Sequence, residues 1–185
     1  MTTSGVLGRL LSKPPAPSGT VTVLFSDIES FTPLNVRLGD QRWLDVLHAH
    51  NAIVRKQVQA HDGYEVKSQG DGFMLAFTSA RSAIKCATDI QRALVHYRDW
   101  HRDEPIRVRI GLHTGEAIDE DGDFHGRNVI VASRIAAEAR GDEILVSSLV
   151  KELTESASDI KFEECREVKL KGLHQPYRLY RVAWP

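Results

Sequence analysis

Residues 21–25, Val-Thr-Val-Leu-Phe, form a nearly unbroken apolar run, the pattern of a short strand buried on both faces. Beyond it Trp43, Leu47, Val54 and Val58, flanked by Val46 and Ile53, recur at helical spacing as far as His61-Asp62-Gly63. That periodicity predicts one long helix ended by a turn. Residues 64–69 and 73–77 read as two strands joined by Gly70-Asp71-Gly72, a composition suited to a tight hairpin. Ala83, Ile84, Ala87, Ile90, Leu94 and Val95 then mark a second amphipathic helix. Ile106, Val108, Ile110 and Leu112 alternate with Arg107, Arg109, Gly111 and His113, as in a strand with one buried face. The order β-α-β-β-α-β is the ferredoxin-like arrangement, an α+β palm with two helices on one face of a sheet.

The C-terminal part adds to this core. Residues 119–126 are polar and glycine-containing and suit a loop or hairpin. A helix is predicted over 129–139, with Asn128 as its N-cap and Gly141 as its stop. Strand patterns at 143–147 and 161–170 flank a short helix, and 177–182 makes a last strand. Residues 12–19, Ser-Lys-Pro-Pro-Ala-Pro-Ser-Gly, are too proline-rich for a regular element, so 1–19 reads as a flexible tail and 20–185 as one domain.

Composition narrows the function. With 24 basic and 25 acidic residues in 185, net charge −1, nothing electrostatic favours a nucleic-acid or membrane-surface partner. No apolar run of membrane-spanning length occurs, and the first residues lack the pattern of a secretory signal, so a cytoplasmic protein is expected. Cys86 and Cys165 imply neither a disulfide framework nor a thiolate metal site, and the eight histidines show no metal spacing.

The chemistry is carried by acids. Asp27 ends the first strand and Asp71 sits in the glycine-flanked turn. If that strand pairs beside the hairpin, the two carboxylates converge at one end of one sheet. Two hard oxygen ligands there suit Mg²⁺ or Mn²⁺ with substrate phosphates completing the shell. Each aspartate alone is also an ordinary turn residue.

Longer strings decide between these readings. Phe25-Ser26-Asp27-Ile28-Glu29-Ser30-Phe31-Thr32, Lys67 before Asp71, Asp123 before Gly126, Ala132-Ser133-Arg134 and Val168-Lys169-Leu170-Lys171-Gly172 occur in this order. Together they resemble the class III nucleotidyl cyclase catalytic domain, most of all its compact bacterial members. The resemblance implies a head-to-tail homodimer with two sites, each built from both chains. Asp27, Asp71 and the Ile28 carbonyl of one chain would hold two Mg²⁺ or Mn²⁺ ions. Phe31 and Thr32 would adjoin the substrate, and the partner would supply Lys67, Asp123, Arg134 and Lys169, with Lys171 as the alternative to Lys169. The implied reaction converts ATP to 3′,5′-cyclic AMP and pyrophosphate.

Hydrogen-bond complementarity supports the purine choice. Lys67 is donor-only and suits adenine N1, while ionised Asp123 is acceptor-only and suits the N6 amino group. Arg134 would stabilise charge on the α-phosphate. One position departs from the family pattern: Ile130 stands four residues before Arg134, where an Asn usually orients the ribose. Asn128, two residues earlier, either caps the helix or reaches the ribose. Ile130 predicts a slow enzyme, and it leaves open a catalytically silent nucleotide-binding or dimerisation module; a guanylyl cyclase would need a different base-reading pair.

Overall fold

The computed structural model describes residues 17–184. The tail expected over 1–19 falls outside the described residues except for its last three positions. The elements are β1 (Thr20–Ile28), α1 (Phe31–Leu38), α2 (Asp40–Ala60), β2 (Tyr64–Gln69), β3 (Gly72–Phe77), α3 (Ala80–Trp100) and β4 (Val108–Glu116). They continue with β5 (Ile118–Glu120), β6 (Asp123–His125), α4 (Arg127–Glu138), β7 (Ile144–Ser147), α5 (Ser148–Thr154), β8 (Lys161–Val168) and β9 (Tyr177–Ala183).

Seven strands make one sheet in the order β2-β3-β1-β4-β7-β9-β8, with β5 and β6 as a separate hairpin. The first four strands carry the β-α-β-β-α-β core, and β1 pairs antiparallel with both β3 and β4. Alternation along β1 sorts its side chains. Leu24 and Ile28 join the large core under α2 and α3, which includes Phe73, Leu75, Ile84, Ile90 and Leu112. Val21 and Val23 face the opposite side, where Met74, Phe124 and Ala132 close a second cluster. Asp27 shares that second face by the same alternation.

Four boundaries differ from the periodicity reading. The predicted long helix is α2, starting at Asp40, and a helix the periodicity did not mark, α1, precedes it, with Gly39 at φ 78° breaking the chain between them. The fourth strand starts at Val108 and runs on to Glu116, following its pairing with the whole of β1. α4 starts at Arg127 with Gly126 as N-cap, so Asn128 lies inside its first turn. It ends at Glu138 with Ala139 as C-cap. Gly141 is therefore not the stop: its N–H donates to Glu29 Oε1 at 2.9 Å, and an added Cβ would lie 2.5 Å from Glu29 Oε2.

α4 lies across the β1–β4 face rather than joining α2 and α3. Val131 and Ile135 pack with Leu145 and Leu179, and Ala132 with Val21 and Val23. The approach is close: a Cβ on Gly111 of β4 would stand 2.1 Å from the Ala136 backbone nitrogen. A residue with any side chain at 111 would hold α4 away from the sheet.

Candidate active site

β1 delivers Asp27 to its C-terminal end, and the β2–β3 hairpin brings Asp71 back to the same place. Gln69 pairs with Gly72, so Gly70 and Asp71 form a two-residue loop, with Gly70 at φ 61°. The Ile28 amide donates to Asp71 Oδ2 at 2.9 Å, which seats the second carboxylate beside the residue following Asp27. Burial pushes the Asp71 carboxyl above its ordinary range; the Ile28 amide opposes this, and the neighbouring Asp27 charge adds to it.

Sequence reasoning missed the third charged group. Arg109 stands directly across from Asp27 in the β1–β4 register. Its Nε and Nη2 both engage the Asp27 carboxylate, the latter at 3.0 Å to Oδ2. The hydrogen bond to Asp27 holds the guanidinium even more firmly protonated than usual, and the Glu29 and Asp71 charges act in the same direction. The alternation already placed Arg109 on the polar face of its strand; only the pairing register put it opposite Asp27.

Asp27 and Asp71 fit a divalent cation on the chemistry of their donors: two adjacent oxygen-only carboxylates, one partly desolvated, with a guanidinium already drawn in as counter-charge. Among the described residues no third His, Cys, Asp or Glu completes a cluster with them.

Lys67 and Asp123, the two residues expected to read the purine, also meet. Lys67 Nζ donates to Asp123 Oδ1 and Oδ2 at 2.9 and 2.7 Å, joining β2 to β6. The Lys67 bond is the main reason that the Asp123 carboxyl is held below its usual range, so it is an ionised acceptor at neutral pH. Phe25, Asp27, Lys67 and Met74 line one groove of about 280 Å³, closed on its other side by Ser133 and Ala136 of α4. A larger groove of about 840 Å³ runs between α3 and β8–β9, away from these carboxylates. Its charges are largely mutually satisfied, as in Lys85 with Asp159 and Arg181 with Glu163.

Arg134 is half-buried on α4, and its Nε is buried without a hydrogen-bond partner among the described residues. Ile130, one turn earlier, is 51% exposed. Asn128 does not cap the helix, because its side chain is committed elsewhere: Nδ2 donates to the Glu116 carbonyl at 2.9 Å, and Oδ1 faces His113 Nε2 at 3.2 Å. His113 therefore donates from Nε2 and accepts at Nδ1 from the Ser147 hydroxyl at 2.8 Å. Burial lowers the His113 pKa, in keeping with a neutral ring that ties β4 to α4 and β7. Gly115 makes room, since a Cβ there would lie 2.3 Å from Asn128 Cγ.

Phe31 packs edge-on against Trp43 with ring centroids 4.8 Å apart, and Thr32 is exposed in the first turn of α1. Lys169 and Lys171 lie in an exposed loop just beyond β8, not on a strand face, because β8 ends at Val168. Leu170 between them turns this loop back onto Val131 and Ile135 of α4, but neither lysine lines the groove that Asp27 lines.

Residues 14–183 match the family of adenylate and guanylate cyclase catalytic domains. An adenylate cyclase of Podospora anserina is 34% identical over 167 residues, spanning 77% of this chain. The chain spans 8% of that relative's length and 17% of a receptor-type adenylate cyclase of Trypanosoma brucei brucei. Among solved structures, a Trypanosoma brucei adenylate cyclase described in its monomeric state superposes with TM-score 0.82 at 27% identity, covering 92% of each chain. The guanylyl cyclase Cya2 superposes with TM-score 0.81 at 24% identity, covering 91% of this chain and 95% of its own, a likeness of fold alone. Among the described residues no helix is long and apolar enough to cross a membrane.

Proposed function

Because the chain belongs to the adenylate and guanylate cyclase catalytic-domain family, we propose that it is an adenylyl cyclase of the cytoplasm, converting ATP to 3′,5′-cyclic AMP and pyrophosphate at sites shared between two copies. The observation that carries the choice of purine is the Lys67–Asp123 pair, a donor and an ionised acceptor 2.7–2.9 Å apart, which in a shared site would face the metal-binding carboxylates of the other chain. Adenine offers an acceptor at N1 and a donor at N6, the complement of that pair. Guanine reverses both groups and would leave them unpaired, which a rigid site rejects by several orders of magnitude.

Asp27, Asp71 and the Ile28 carbonyl would hold two Mg²⁺ or Mn²⁺ ions. When bound, such ions favour deprotonation of the ribose 3′-hydroxyl and neutralise the triphosphate and departing pyrophosphate. The rest of the chemistry is positioning and fixed charge. The guanidinium of Arg134 would donate to the α-phosphate as charge builds there. Phe31 and Thr32 open α1 beside the carboxylate loop, where free backbone N–H groups suit phosphate oxygens. Lys169 would be delivered by the partner. Exposed Ile118 and Ile130 give the α4 side of the molecule apolar surface for that contact.

Ile130 supplies no hydrogen bond to the ribose, and Asn128, held by Glu116 and His113, is not free to replace it. The missing donor lowers turnover by about 10²–10³ relative to a complete site. The same observation favours a second reading, a silent nucleotide-binding or dimerisation module.

The deciding experiment incubates purified protein and Mn²⁺ with ATP or GTP and measures both cyclic nucleotides by mass against an Asp27→Ala blank. Cyclic AMP above the blank supports the proposal. Cyclic GMP alone overturns the purine assignment, and neither product favours the silent module. Asp27→Ala and Arg134→Ala should each be inactive, and mixing them should restore product through one intact composite site. No recovery would rule out the shared site.

A further inference from the structure

Asp27 already has a cation. We propose that Arg109 is a gate on the metal centre: in nucleotide-free protein its guanidinium occupies the Asp27 carboxylate, and that ion pair must open before Asp27 can ligate a divalent ion. This inference rests on the reading of Asp27 and Asp71 as the metal ligands.

Three observations carry it. The pair is imposed by the backbone, because Asp27 and Arg109 are register partners on adjacent antiparallel strands. The engagement is two-pronged, Nε and Nη2 each meeting one carboxylate oxygen, so a positive charge already stands against both oxygens that a metal would use. The guanidinium also stands among acids: the Asp27, Glu29 and Asp71 charges all act on it, and Asp71 is partly desolvated.

The pair is nevertheless able to open. The side chains of Arg109 and Asp27 are 33% and 36% exposed, so water competes for both ends and the closed state is favoured by a modest factor. A ligand whose binding-competent state is a minority binds more weakly in proportion to that fraction. A divalent ion alone thus meets a partly closed site. A triphosphate, by giving the guanidinium another anion, would shift the site towards the open state, and metal and nucleotide would load cooperatively.

A register-stabilising ion pair with no gating role makes a different prediction, and the distinction lies in geometry rather than charge. Arg109→Lys keeps the positive charge but cannot form the two-pronged fork. The test is Mn²⁺ binding to nucleotide-free protein, followed by electron paramagnetic resonance of free Mn²⁺, for wild type, Arg109→Lys, Arg109→Gln and each combined with Asp27→Ala. Thermal unfolding in chelator checks that every variant is folded.

Gating predicts that Arg109→Lys tightens Mn²⁺ binding about three- to tenfold, that Arg109→Gln tightens it at least as much, and that Asp27→Ala abolishes both gains. If Arg109→Lys binds as wild type and only Arg109→Gln gains, the effect is net charge and the gate is refuted while the metal assignment stands. If Asp27→Ala leaves Mn²⁺ binding unchanged in every background, the metal assignment itself fails.

Discussion

Gly111→Ala tests whether the seat of α4 controls the site. The added Cβ would lie 2.1 Å from the Ala136 nitrogen and 2.5 Å from its Cα, both backbone atoms that cannot rotate aside. Ordinary contact begins near 3.5 Å, so α4 must move outward by roughly 1.4 Å. Its inner face, Val131, Ala132 and Ile135, is almost wholly buried, and lifting it opens gaps along β1, β7 and β9. Overpacking of this kind costs about 1–3 kcal/mol. For a chain of this size that lowers the melting temperature by roughly 2–12 °C. Arg134 moves with the helix, and a displacement of about 1 Å can cost 10²-fold in rate. Calorimetry and cyclic nucleotide quantified by mass would measure both effects. Gly72→Ala is the stability control, since its Cβ would meet only ordinary contacts at 3.5 and 3.6 Å. Wild-type melting and turnover in Gly111→Ala would refute the argument that the β4–α4 approach fixes Arg134.

Ile130→Asn, at a half-exposed position, should raise turnover by up to about 10²-fold with little change in stability; unchanged turnover would show that the missing donor is not at 130. Lys67→Glu combined with Asp123→Ser should weaken ATP preference and admit GTP in competition assays, and unaltered ATP selectivity would remove these residues from base reading. Burial holds the fully buried His50 at a pKa of about 4, below its unfolded value, so the unfolded chain binds the extra proton. Stability is therefore complete above about pH 6.5 and falls by roughly 3 kcal/mol as pH drops through 4. His50→Leu should flatten that acid limb in urea titrations at successive pH values, and an unchanged slope would acquit His50.

The βαββαβ core was legible because its signals are local. A period of two in the strands and near 3.6 in α2 and α3 records which faces are buried, whatever they are buried against. Asp27 and Asp71 were legible as candidates for the same reason, one ending an apolar run and the other filling a glycine turn. α1 was missed because eight residues with Leu34 alone buried carry too little periodicity to mark a helix. Asn128 was misread because an Asn before an apolar run has the composition of a cap, while the competing partners lie on β4. His113, with Gly115 beyond it in the same strand, was the available sign of a close approach from outside.

The sequence by itself determined the periodicities, the order of the elements and the chemical types placed at strand ends and turns. Tertiary structure alone decided that Arg109 faces Asp27, that Lys67 reaches Asp123 and that α4 rests on Gly111. Burial is a one-residue property and leaves its period in the chain. Pairing is a relation between residues from 25 to 82 positions apart, fixed by register and packing.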